Sequence, residues 1–184
     1  MIDAQPQQKY QVRFDWGLAG FRALADKADV VILADGLPAM DAGNGYPTPL
    51  AAHQVIAAGL GNRGAVAEWV LARQAEKGDR FTVAVIAVGE RRPDGTQRVA
   101  VEDLLVAGAV IDALSGLGID HCSPEAAAAS AAFVGLKRAL RHLTSASETG
   151  QALAAAGREH EVAAAGRLDD SGTVVALGEF TFPA

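Results

Sequence analysis

The chain is short of cysteine, aromatic side chains, basic clusters and long apolar runs, and each shortage removes a class of protein. Its single cysteine, Cys122, rules out an intrachain disulfide and fits a reducing compartment. Aromatic residues make up only 5% of the chain while glycine reaches 20 residues, so close helix packing is expected to matter more than aromatic clusters. The 16 Lys and Arg are scattered and outnumbered by 22 Asp and Glu, for a net charge of -6. Nucleic acid and anionic membrane surfaces both attract basic patches, so neither is expected as a partner. A small anionic substrate stays open, because it responds to local fields rather than to net charge. No apolar run approaches the ~20 residues that span a bilayer. Residues 1–8 are polar and lack the apolar centre of a signal peptide. The expected location is cytoplasmic.

Half of the 184 residues are apolar, enough to bury a substantial core. The length suits a single compact domain over residues 1–184; two tightly joined lobes, about 9–98 and 99–184, are the alternative. Homodimerisation is left open.

Hydrophobic periodicity switches repeatedly between strand and helix. Tyr10, Val12, Phe14 and Trp16 alternate with polar neighbours and read as a half-buried strand. Residues 18–28 follow with helical spacing. Residues 29–34 and 81–88 are nearly continuous apolar runs, as expected of parallel strands buried on both faces. Residues 53–58 suggest a further strand, and 65–76 an amphipathic helix stopped by Gly78. Residues 101–117 form a long apolar helix. Ser123-Pro124-Glu125 is a strong helix start, with the helix running to about 142. Another helix covers roughly 147–156, and a last strand 173–182. Residues 36–49 and 91–98 read as loops. Alternating strands and helices predict an α/β fold with a mainly parallel sheet flanked by helices.

In such sheets ligands bind beyond the carboxyl ends of the strands. Three places qualify. Asp35 directly follows the apolar run 29–34, where an acid can bind a metal or serve as a simple turn former. Residues 59–64, Gly-Leu-Gly-Asn-Arg-Gly, match G-x-G-x-x-G between a strand and a helix. This spacing can bring backbone N–H groups to a phosphate, with Glu90 imitating a ribose-binding acid. It can equally be a turn with Asn62 as helix N-cap. Glu102 and Asp103 fall in the first turn of the apolar helix, where the dipole favours acids by ~0.3–1 kcal/mol. Adjacent helical residues point about 100° apart, so the two serve different tasks. A hard cation such as Mg²⁺ takes oxygen ligands, which Asp35 and one of this pair could supply. The four histidines lack metal-ligand spacing, and Cys122 has no evident base.

Taken in order, these elements resemble the 2-phosphosulfolactate phosphatase family. Residues 101–111, Val-Glu-Asp-Leu-Leu-Val-Ala-Gly-Ala-Val-Ile, are similar to the family's Glu-Asp-x-x-x-Ala-Gly helix start. Residues 59–68 are similar to its Asn-containing turn and helix, with Asn62 as the matching Asn. The strand at 82–88 lies between them as in the family. Residues 35–39 are similar to its Asp-Val-Leu-Arg-Ala strand end, and Asn44-Gly45 to its Thr-Asn-Gly-Thr motif. Pro38 stands where the family has Arg, and a middle stretch is shortened. The resemblance covers about residues 28–180.

It implies Mg²⁺ dependence and hydrolysis of a phosphate ester of a small sulfonated or carboxylated hydroxy acid. On that basis Asp35 and Asp103 are expected metal ligands, Glu102 and Asp103 catalytic groups, and Asn44, Gly61 and Asn62 substrate-binding groups. Two other readings stand beside it. One is a degenerate family member that binds a small ligand or partner without turnover; the other is a nucleotide-binding α/β protein.

Overall fold

A computed structural model describes residues 6–38, 45–49 and 54–183. Strand β1 (Val12–Trp16) leads into helix α1 (Gly17–Leu24) and then β2 (Val30–Ala34), β3 (Gly45–Pro49) and β4 (Gln54–Ala58). Helix α2 (Arg63–Lys77), β5 (Val83–Ala87), the short strands β6 (Glu90–Arg91) and β7 (Gln97–Arg98), and helix α3 (Val101–Gly116) follow. The chain continues through α4 (Pro124–Leu136), α5 (Leu140–Ala146), α6 (Glu148–Ala155) and α7 (Glu159–Ala165). It ends with β8 (Val175–Leu177) and β9 (Glu179–Pro183).

The main sheet has the order β1-β5-β2-β4-β8, with the first four strands parallel and β8 antiparallel at the edge. The expected α/β architecture is therefore the observed one. Every residue of β2 and β5 is buried. Val30, Ile32 and Ala34 face a core shared with α2, α3 and α4, whereas Val31 and Leu33 face α1. That two-sided burial explains why both strands read as unbroken apolar runs. Each fully buried Leu or Ile contributes roughly 1.5–3 kcal/mol of hydrophobic stabilisation.

Helix α3 is the central helix of the larger core. It is apolar around most of its circumference because α2, α4 and the sheet enclose it. Gly108 lets α4 approach: a Cβ there would collide with the Ala129 carbonyl oxygen. Ser123 caps α4, its side chain accepting the Ala126 N–H, with Pro124 as the first helical residue. Gly78 closes α2 in the left-handed conformation, φ 69°. Among the described residues no helix is long and apolar enough to cross a membrane.

Several boundaries differ from the sequence reading. The helix expected over 123–142 is broken by a 3₁₀ turn at Lys137–Ala139 into α4 and α5. The strand expected over 173–182 divides at Gly178: β8 joins the main sheet, while β9 pairs antiparallel with β3. The expected loop 36–49 thus contains a strand, and the loop 91–98 folds as the β6–β7 hairpin. Helix α7 was not foreseen as a separate element.

Candidate functional site

The carboxyl ends of β2 and β5 lie side by side, and the first turn of α3 lies against both. Asp35 leaves β2 with its N–H donating to the Ala58 carbonyl at 3.1 Å, extending the β2–β4 pairing by one residue. The chain then turns at Gly36, which packs on α3 so closely that a Cβ would lie 2.8 Å from the carbonyl carbon of Glu102. Only glycine fits that approach.

Asp103 ties the two strand ends together. Its Oδ1 accepts the Gly36 N–H and its Oδ2 the Gly89 N–H, both at 2.7 Å. Gly36 follows β2 and Gly89 follows β5, so one carboxylate holds both loops. Glu102, its neighbour, is also buried, at 3% exposure. Its Oε1 lies 3.7 Å from Nη2 of Arg98, and its Oε2 is buried without any hydrogen-bond partner. An orphaned carboxylate oxygen in a protein interior is costly unless a cation or proton compensates it.

Glu90, half-buried at the end of the same β5 loop, completes an acidic group with Asp35, Glu102 and Asp103. Burial raises the Glu90 carboxyl above its ordinary range; Arg98 opposes this and Glu102 adds to it. Asp35 opens to a cavity, yet the surrounding protein strips most of its hydration. Burial, then Glu90, push it up to about 7; the Leu37 N–H pulls the other way and Glu102 adds to the rise. Asp103 is also raised, by burial first and then by Asp35, against the Gly36 and Gly89 N–H groups. Two buried carboxyls that repel each other share a proton. The two backbone donors on Asp103 favour its charged form and so oppose that rise.

Arg98 is the cation at this cluster. Its Nη2 donates to Thr149 Oγ1 at 2.8 Å and its Nε pairs with Glu148 at 3.0 Å, so α6 anchors it beside Glu102. Among the described residues no three His, Cys, Asp or Glu side chains converge tightly enough to form a preformed metal cage. Mg²⁺ does not require one, since it commonly binds through one or two carboxylates and keeps several waters.

The cavity at Asp35 has a volume of about 430 Å³ and spans the ends of β2 and β4. Leu37, Leu60, Gly61, Asn62 and Val175 contribute to its walls. Asp35, Gly61 and Asn62 therefore border one space, with Glu102 and Asp103 behind Asp35. Asn44 lies outside the described residues. Asn62 stands at the N-cap position of α2 without capping it. Its Oδ1 accepts the Gly59 N–H at 2.8 Å, and its Nδ2 donates to the carbonyls of Ala57 and Thr173.

The glycine turn meets a segment more than a hundred residues away. The Asp169 N–H donates to the Leu60 carbonyl and the Ser171 N–H to that of Gly61, at 3.1 and 2.9 Å. Asp169 accepts from Gly64 N–H through Oδ1 and from Arg63 Nε and Nη2 through Oδ2. A Cβ on Gly61 would stand 2.5 Å from Asp170 Oδ1. Carboxylates of the chain itself thus occupy the room that a nucleotide phosphate would need.

Arg98 and Asp169 escaped sequence reasoning as site neighbours, and Glu90 entered it only as a ribose-binding acid for the glycine turn, not as a neighbour of Asp35 and Glu102. Glu90 carried a signal that could have found it: like Asp35, it follows a fully apolar strand at its carboxyl end. Cys122 is half-buried, and burial pushes its thiol up, which disfavours the thiolate a nucleophile needs.

No curated protein matches the chain. The family profile described as 2-phosphosulpholactate phosphatase matches residues 48–179, which include β4, the glycine turn, β5 and the acidic start of α3. With well over half its length matched, the chain belongs to the 2-phosphosulpholactate phosphatase family.

Proposed function

We propose that the chain is a Mg²⁺-dependent phosphatase acting on the phosphate ester of a small hydroxy acid that carries a sulfonate or carboxylate. The observation that carries this reading is the buried, unpartnered Oε2 of Glu102 within the group Asp35, Glu90, Glu102 and Asp103. Family membership supplies the reaction class. Asp35 and Glu102 would hold the cation, with water and phosphate oxygens completing its shell. When bound, Mg²⁺ neutralises phosphate charge and polarises a phosphoryl oxygen or a water. Asp103 is a positioning residue: it sets the spacing of the two loops through Gly36 and Gly89. Leu37, Leu60 and Val175 supply apolar wall to the cavity beside Asp35.

The test is release of phosphate from a panel of small phosphate esters with and without Mg²⁺, in wild type, E102Q and D35N. Mg²⁺-stimulated release that both substitutions lower by at least tenfold supports the reading. Undiminished release in E102Q contradicts it.

Pro38 favours a second reading. It lines the Asp35 cavity and brings no positive charge there. A family member that binds an anionic ligand without turnover would show ligand-induced thermal stabilisation and no product.

A further inference from the structure

Arg98 ends β7 and stands between two carboxylates, Glu102 on α3 and Glu148 on α6. The Arg98 side chain is 15% exposed, that of Glu102 3% and that of Glu148 75%. Its contacts with them are unequal. Nε lies 3.0 Å from Glu148 Oε2, and Nη2 donates to Thr149 Oγ1 at 2.8 Å, both within hydrogen-bond reach. Nη2 lies 3.7 Å from Glu102 Oε1, too far for a hydrogen bond. The guanidinium is therefore held by α6 and acts on Glu102 through charge.

This arrangement leaves Glu102 half satisfied. Its Oε1 faces the guanidinium, while its Oε2 is buried with no partner. A divalent cation reaching Oε2 would share one carboxylate with Arg98. Two positive groups on one carboxylate repel each other, and burial at this end of α3 reduces the screening that water and salt provide. Glu148 works in the opposite direction. It lies in the first turn of α6, whose N-terminus is the positive end of the helix and would repel Arg98 on its own. The Glu148 charge draws the guanidinium toward α6 and away from Glu102.

We propose that Arg98 is a positioning residue that sets the affinity of the acidic group for a divalent cation, with Glu148 of α6 as its counterweight. Arg98 offsets part of the Glu102 charge and so weakens cation binding. Glu148 holds the guanidinium on α6 and so strengthens it. Cation binding at Glu102 in turn pushes Arg98 toward Glu148 and Thr149, which couples α6 to the occupancy of the site. The proposal rests on the reading of Asp35 and Glu102 as cation ligands, and goes beyond it by naming the residues outside the ligand set that tune them.

The experiment is calorimetric titration of the full chain with Mg²⁺ alone, at neutral pH and constant ionic strength, in wild type, R98Q and E148Q. R98Q is expected to bind Mg²⁺ more tightly by about threefold to tenfold, and E148Q more weakly by about threefold. The opposite signs are the discriminating result. If Arg98 and Glu148 served only to tie β7 to α6, both substitutions would loosen the site and both would weaken binding. Glu148 is exposed, so E148Q keeps the test decisive even where R98Q folds poorly. Amide chemical shifts give a second readout: Mg²⁺ is expected to move Glu148, Thr149 and Gly150 in wild type, and in R98Q to move Gly36 and Gly89 but not α6. Equal or weaker binding in R98Q, or equal or tighter binding in E148Q, would overturn the proposal while leaving the ligand reading intact. Absence of saturable binding in all three proteins would remove the ligand reading itself, and this proposal with it.

Discussion

Asp103 Oδ1 accepts the N–H of Gly36 at 2.7 Å, joining residues 67 positions apart in the chain. The same carboxylate holds Gly89 with its other oxygen, so its removal frees the ends of two central strands. D103N supplies an oxygen for one N–H and turns an NH₂ donor toward the other. A loss of about 1–3 kcal/mol is expected in denaturant unfolding, from the buried donor left unsatisfied. E102Q removes charge where no hydrogen bond is made to Oε2, so its stability is expected to equal or exceed that of wild type. Both are expected to lose Mg²⁺-stimulated activity, and the difference in stability separates the positioning residue from the proposed ligand.

Gly36→Ala tests the close approach of β2's end to α3. The added Cβ would lie 2.8–2.9 Å from the Glu102 carbonyl carbon, Cβ and carbonyl oxygen. Two of these atoms are backbone, which cannot swing aside. Destabilisation of about 1–3 kcal/mol is expected in urea unfolding. An unchanged midpoint would show that the turn is looser than described.

The Asp35 carboxyl predicts a pH dependence with a definite sign. Below the ordinary carboxylate range, near ~4, Asp35 is protonated in both folded and unfolded chains. Between that range and about 7 the unfolded chain releases a proton that the folded chain retains. Stability contributed by this group is therefore complete in acid and falls as pH rises toward about 7. D35N is expected to flatten the profile and to exceed wild type by about 1–3 kcal/mol above neutral pH, in the absence of divalent cation. Asp103 shifts in the same direction, but with Asp35 neutral it loses its second cause.

The contact between the glycine turn and residues 169–171 predicts a local effect. Arg63 is 12% exposed and Asp169 43%, so solvent screens the pair, and D169A is expected to cost only about 0.5–1 kcal/mol globally. Hydrogen exchange should report more. The Gly64 and Ser171 amides are expected to lose protection in D169A, while those of β5 keep theirs. Asp169 adopts φ 53°, so D169G removes the same carboxylate without the backbone cost and isolates the side-chain contribution.

How far the sequence reveals this molecule varies with the range of the interactions. β2 and β5 are legible because burial on both faces leaves five apolar residues in a row. The cap at Ser123 and the stop at Gly78 are legible because their chemistry is local. β6 and β7, two residues each, are too short to carry a period, and β3 contains two prolines in five residues. The break at Lys137–Ala139 is announced only by Gly135 just before it, and a single glycine inside an apolar helical pattern is a weak stop. In the site, Glu102 and Asp103 stand out as acids opening an apolar helix, and Asp35 as an acid ending an apolar strand. Their division of labour is not legible, because it depends on Gly36 and Gly89, which meet Asp103 only in the fold. Asp169 reaches Arg63 across 106 residues, a distance over which no sequence pattern reports.

The acidic group at the ends of β2 and β5 is proposed to receive a cation. Calorimetric titration of the wild-type chain with Mg²⁺ at neutral pH tests this most directly, with E102Q and D35N alongside. Saturable binding at one site, accompanied by proton release and abolished in both variants, is the predicted result. Absence of saturable binding in wild type, or equal binding in E102Q, would contradict it.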